Sequence, residues 1–257
     1  MEEMQKSIEE EMTKKGTPLD LIATKGTRRA LLLMFGLIII QQCSGIMAIL
    51  SNAQEIFRTS GENALEPSLS AITIGVIQLI TSVITSFLVD RLGRRILLLI
   101  STVGCAISLF ILGTFQYLSL KVGVDMSSWN WLPLMSLIIF LVSYCFGVGP
   151  LPIAYCGEIF PSNIRGLALS IASMTLSLTF IIITKLYQVV ADALGVYVTF
   201  WFFASVSLLG TIFVYFLVIE TKGKSIESIV AELNHGESSK IPNVAPNGSP
   251  SIYSIKL

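Results

Sequence analysis

The sequence predicts an all-α integral membrane protein with six transmembrane helices, and three observations carry this. Hydrophobic residues make up 53% of the 257, charged residues only 13%, and mean hydropathy is +0.76. Soluble domains carry about 25% charge, so a water-soluble fold of this length could not hide so much apolar surface. Six apolar segments are each long enough to cross roughly 30 Å of hydrocarbon at about 20 residues. Finally, the positive charges gather in alternate connections between those segments.

In order, the segments are Ala30–Phe57, Ser68–Val89, Ile96–Tyr117, Trp131–Tyr155, Ile164–Val190 and Tyr197–Ile219. Serine and threonine dilute the second and fifth. Residues 1–29 form a charged linker, 30–219 the transmembrane domain, and 220–257 a tail that is largely disordered after 234. The opening MEEMQKSIEEEM reads as a short amphipathic helix, broken near Gly16-Thr17-Pro18. It has no apolar core of signal-peptide length, so the first span is expected to serve as its own insertion signal. The tail is rich in Ser, Pro, Asn and Gly. Its Asn247-Gly-Ser sequon is expected to stay unmodified on the cytoplasmic side.

Orientation follows from the lysines and arginines. With both termini cytoplasmic, all 17 of them lie inside except Arg58 and Lys121 in outer loops and Lys185 within a span. Several function classes drop out. No basic stripe with interleaved aromatics points to nucleic acid. One histidine, His235, and four cysteines at unrelated spacings (Cys43, Cys105, Cys145 and Cys156) give neither a metal site nor a disulfide framework. No cofactor motif is present, and no nucleophile or buried acid/base pair suggests an enzyme.

Polar groups inside a membrane are costly and mark cavities or helix contacts. Gln41, Gly45, Ala48 and Asn52 share one helical face, with Gln42 beside it. Amides both donate and accept, which suits a hydroxyl-bearing solute; an interhelical hydrogen bond is the competing role. In the second span Gln78, Ser82 and Thr85 share a face, and Gln78 is the site candidate there. Ser101, Cys105 and Ser108 in the third span, and Ser170, Ser173, Ser177 and Thr184 in the fifth, read as packing faces. Lys185 can snorkel. Without a buried charge, the expected solute is neutral.

Gly147, Gly149, Pro150 and Pro152 break the fourth span, because proline has no N–H and clashes with the preceding turn. Such breaks are tolerated at depth only against protein or a cavity, so this span is a candidate moving element; a static kink is the alternative. The loop Asp90-Arg91-Leu92-Gly93-Arg94-Arg95 and the pair Glu158 and Arg165 lie on one side of the membrane. They can form an ion-pair set that opens and closes with conformation, or simply anchor the loops by positive charge.

These residues resemble a known family. Gln41-Gln42-Cys43-Ser44-Gly45, Asp90–Arg95, Gly149-Pro150-Leu151-Pro152, Glu158-Ile159-Phe160-Pro161 with Arg165-Gly166, and Glu220-Thr221-Lys222-Gly223-Lys224-Ser225 occur in the order seen in the sugar porters. These are the glucose transporter-like members of the major facilitator superfamily, and the pattern looks like the insect trehalose transporter group. The resemblance covers roughly residues 1–230 and implies the C-terminal half of a twelve-span fold, built as two inverted three-helix repeats. It implies sugar contacts at Gln41, Gln42 and Gln78, and a cytoplasmic ion-pair set at Asp90, Arg94, Arg95, Glu158 and Arg165. The chain departs from the family at Met47, Ser51, Asn52, Ile153, Ser177 and Ile219. The aromatic losses among these remove stacking surface for a sugar ring.

The expected function is facilitated alternating-access transport of a neutral sugar, trehalose or a hexose, across the plasma membrane. A non-transporting half, partnered by an N-terminal half or a full-length transporter, is the alternative. The lipid bilayer is the expected surrounding partner.

Overall fold

The computed structural model describes residues 19–47, 49–50, 53, 67–123, 129, 131–224 and 226–235. Asn52, Ala48, Ser51, Arg58, the opening amphipathic segment and the Asn247 tail, about which the sequence raised expectations, lie outside them. The described elements are helical: α1 Asp20–Ala23, α2 Lys25–Gln42, α3 Pro67–Leu92, α4 Arg94–Tyr117, α5 Trp131–Phe146, α6 Leu151–Ile159, α7 Ser162–Leu194, α8 Val196–Leu217 and α9 Ile226–His235. A π-helical turn, Leu118–Val122, extends α4.

Five described helical segments are long and apolar enough to cross a membrane: 72–92, 94–122, 131–159, 162–194 and 196–217. The expected first span is not one continuous helix among the described residues. α2 starts on a capping box: Thr24 Oγ1 accepts from Thr27 N at 3.2 Å, and Thr27 Oγ1 accepts from Thr24 N at 3.3 Å. It ends at Gln42, a turn follows through Cys43–Gly45, and helical backbone resumes at 46–47 and 49–50.

Central position and lipid exposure are divided unequally. α4 packs along α8 and α5 and has 56% of its apolar window buried, against 17% for α3 and for α7. α4 is therefore the axis of the bundle, while α3 and α7 are peripheral. Their outward faces carry Ile72, Leu79, Val83 and Phe87 on α3, and Met174, Leu178 and Ile182 on α7. Hydrocarbon is the solvent for which such faces cost nothing.

Two apolar clusters fill the interior. One joins Leu33, Leu37, Leu97, Tyr155, Phe160, Val214, Ile229 and Leu233, among others, at the end where α2 begins and α8 finishes. The other joins Ile46, Ile74, Leu109, Phe140, Tyr187 and Phe200 toward the opposite end. Tyr117, Tyr197 and Trp201 cluster at that far end, with Tyr197 edge to face against both others and Tyr117 tilted on Trp201; amphipathic aromatics are enriched at membrane–water interfaces. α9 seals the first cluster through Ile229 and Leu233, and Arg29 Nη1 donates to Leu233 O at 2.9 Å. The sequence reading gave no element there.

Candidate functional site

The fourth span breaks where its glycines and prolines stand. α5 stops at Phe146, residues 147–150 form turns, and α6 starts at Leu151 with proline in its first turn. The break falls between the two clusters, with Phe140 and Leu141 of α5 in one and Leu151 and Tyr155 of α6 in the other. Gly147 faces α4 closely: a Cβ there would stand 2.7 Å from Leu97 O, so only glycine admits this approach.

Gln41 reaches the break from α2. Its Nε2 donates to Gly149 O at 2.7 Å. Because a carbonyl only accepts, this bond fixes which amide atom is which. Gln41 is buried, and its Oε1 has no hydrogen-bond partner among the described residues. Gln42 is also buried and donates through Nε2 to Leu176 O of α7 at 2.9 Å. The adjacent glutamines thus hold two different helices. Gln78 is half-buried on α3 beside Ile77, which packs against the cluster containing Cys43 and Ile46. No hydrogen bond joins Gln78 to either glutamine among the described residues, and Asn52 lies outside them.

At the end where α3 meets α4, Glu158 Oε1 accepts from Arg94 Nη2 at 2.9 Å and Nε at 3.0 Å, and Thr221 Oγ1 donates to Glu158 Oε2. Asp90 pairs with Arg94 more loosely, 3.7 Å apart and 80% exposed. The side chains of two members of the expected ion-pair set, Arg95 and Arg165, bond backbone carbonyls instead of a carboxylate among the described residues. Arg95 Nη2 donates to Tyr215 O and Arg165 Nε to Phe160 O at 3.5 Å, while Arg91 offers its own carbonyl to Lys222 Nζ. A further acid at this end had no role assigned from the sequence. Glu220 accepts from Arg94 N at 3.0 Å, Arg95 N at 3.1 Å and Lys222 N at 3.1 Å. It caps α4, whose N-cap Gly93 has no side chain to do so. Gly93 sits at φ 90, and a Cβ there would meet Glu220 Oε2 at 2.6 Å. The signal available in sequence was the Glu220–Ser225 motif itself, but nothing local to it names a partner more than a hundred residues away.

The sequence profile of the family described as "Sugar (and other) transporter" matches residues 1–233. The chain belongs to that family. Among curated members, the facilitated trehalose transporter Tret1 of Bombyx mori is 40% identical over 217 residues, covering 84% of this chain and 42% of that protein. Tret1 of Polypedilum vanderplanki is 42% identical over 202 residues, covering 78% and 40%. Among solved members, a double-tryptophan mutant of XylE superposes with a TM-score of 0.71 at 26% identity, over 90% of this chain and 47% of that one. The proton:xylose symporter XylE bound to 6-bromo-6-deoxy-D-glucose gives 0.66 at 28% identity, over 78% and 42%. This sugar transporter family member thus has a major facilitator fold, and it spans 26% to 44% of the length of the curated relatives it matches.

Proposed function

We propose that this chain forms one half of a facilitated carrier for a neutral sugar, trehalose or a hexose, working by alternating access. In this reading Gln41, Gln42, Gln78 and Asn52 face the solute, and the break at Gly147–Pro152 is the moving element. The Arg94–Glu158 pair holds the cytoplasmic rim in the outward-facing state, and the site is the plasma membrane.

One observation carries the reading: the Gln41 amide is bonded to the break on one side and leaves a buried acceptor unfilled on the other. A buried acceptor without a donor costs about 1–3 kcal/mol, and a sugar hydroxyl is a donor that would remove that cost. Such a hydroxyl would bind beside the one residue already attached to Gly149. Solute affinity would then differ between states of the break, which is what a conformational carrier requires. The names of the relatives supply the solute class.

A second reading is that this chain does not transport alone and works only beside an N-terminal six-helix half. Its peripheral α3 and α7 and its partial coverage of the relatives favour this over self-sufficiency. Uptake of labelled trehalose and glucose into proteoliposomes tests both, with the chain alone and co-reconstituted with an N-terminal half. In whichever form transports, Gln41→Ala and Gln78→Ala should each cut uptake at least about tenfold, the worth of one lost hydrogen bond of ~1.4 kcal/mol. Uptake unchanged in both variants would remove the site assignment.

A further inference from the structure

We propose that Ser101 of α4 and Thr85 of α3 are positioning residues of the break, each taking backbone groups that the break removes from the helical ladder. A continuous helix would pair Gly147 N with Ser143 O, Val148 N with Tyr144 O, and Gly149 N with Cys145 O. The structure instead turns both glycine N–H groups onto Tyr144 O, Gly147 at 3.3 Å and Gly149 at 2.9 Å. This leaves three buried-depth groups without a ladder partner: Ser143 O, Cys145 O and Val148 N. In hydrocarbon no water is available to take them.

Each is taken by a side chain from a neighbouring helix. Ser101 Oγ donates to Ser143 O at 2.6 Å and accepts from Val148 N at 2.9 Å, so one fully buried hydroxyl closes two of the three. Thr85 Oγ1 lies 3.1 Å from Cys145 O and 2.8 Å from Thr81 O, and shares its proton between them. Gln41 adds a third helix at Gly149 O. The break is therefore held from α2, α3 and α4 at once. The glycine at 147 is what lets α4 come near enough for Ser101 to reach.

These hydroxyls are matched to the bent state. If residues 147–150 rewound toward a regular helix, the same groups would find partners in their own ladder; Ser101 would lose both of its partners, and Thr85 would keep only Thr81 O of its own helix. Ser101 and Thr85 consequently favour the bent geometry and set how readily the span changes shape. Their effect on transport rests on the carrier reading above; their effect on the break does not.

The test uses the full chain in lipid nanodiscs, read by amide hydrogen exchange across residues 144–151. Ser101→Ala should speed exchange at Val148 roughly tenfold, with protection elsewhere in α4 and α8 retained. Thr85 bonds a carbonyl and not an N–H, so the isosteric Thr85→Val is read instead by the amide I frequency of isotope-labelled Cys145 C=O, which should rise. Thr85→Ser, which keeps the hydroxyl, should restore the wild-type carbonyl frequency, and an unchanged frequency in Thr85→Val would overturn the role of Thr85. Unchanged exchange at Val148 in Ser101→Ala would overturn the proposal. So would an equal loss across every helix, which would mean general unfolding.

A second arm measures sugar uptake in the reconstituted form that transports. Ser101→Ala and Thr85→Val should shift the maximal rate by about threefold or more with KM held within roughly twofold, the split expected of groups that act on the moving element and not on the solute. A raised KM at unchanged maximal rate would instead place these hydroxyls in the solute site and overturn the assignment. If the wild-type protein carries no sugar in either form, the carrier reading fails while the exchange arm still decides the positioning role.

Discussion

Glu220 and Glu158 sit close together yet do different work. Glu220 accepts three backbone N–H groups and lies at the positive end of α4. An anion at a helix N-terminus contributes about 0.3–1 kcal/mol, and charge-assisted hydrogen bonds contribute about 1.5–3 kcal/mol each before exposure reduces them. Glu220→Gln, which removes the charge and aims an amide at N–H donors, should lower stability by ~1–2 kcal/mol, or Tm by about 2–8 °C at this chain length. Thermal unfolding in detergent that stays within error of the wild type would refute the cap. Glu158 instead meets a side chain, and a double-mutant cycle separates it from its neighbour. Coupling of Arg94→Ala with Glu158→Ala should be near ~1 kcal/mol and exceed that with Asp90→Ala, because the exposed, 3.7 Å pair is solvent-screened. Equal couplings would contradict the geometry. Sequence pattern was enough to bring Asp90, Arg94 and Glu158 together as a set. It was silent on Glu220, because a cap between the C-terminal end of α8 and the start of α4 is a tertiary contact with no local signature.

At the scale of elements, the break was legible because Gly147, Gly149, Pro150 and Pro152 act through backbone chemistry that any context must obey. What fills the orphaned groups was not legible: Ser101 read as a small packing residue, and its second role appears only when α4 lies against residue 147. The first span shows the opposite error. Its unbroken apolar composition suggested one long helix, but the turn at Cys43–Gly45 intervenes, with Gly45 at φ 87. α9 was readable in principle, since Ile226, Ile229, Val230 and Leu233 follow helical spacing, yet its charged and serine-containing context read as tail. Two glycines in the fourth span give opposite expectations. Gly147→Ala places a methyl against Leu97 O and Ser101 and should destabilise by about 1–3 kcal/mol. Gly157→Ala within α6 has open space around the new Cβ and should gain roughly 0.5–1 kcal/mol from helix propensity. Thermal stability in detergent distinguishes them by sign; a gain in stability from Gly147→Ala would show that the close approach at residue 147 is not real.

Across the whole molecule, most of the basic residues are sorted to one end. Lys25, Arg28 and Arg29 before the body of α2, Arg91, Arg94 and Arg95 between α3 and α4, Arg165 at the start of α7, and Lys222 and Lys224 after α8 all fall at one end of alternating helices. Of the other two described lysines, Lys121 lies at the opposite end, four residues beyond Tyr117 of the aromatic group, and Lys185 lies within α7 toward that end. Each lysine or arginine near an anionic leaflet is favoured by about 1 kcal/mol, so nine at one end against Lys121 at the other make a cytoplasmic placement of the basic end the expected one. This yields a test that does not depend on transport. In a variant whose native cysteines are replaced, Lys121→Cys should react with a membrane-impermeant maleimide on intact cells, and Lys222→Cys only after permeabilisation. Both positions are exposed, so access is decided by the side of the membrane and not by burial. Labelling of Lys222→Cys on intact cells would invert the chain. It would also place the Arg94–Glu158 pair on the outer rim, where it would steady an inward-facing state instead of an outward-facing one.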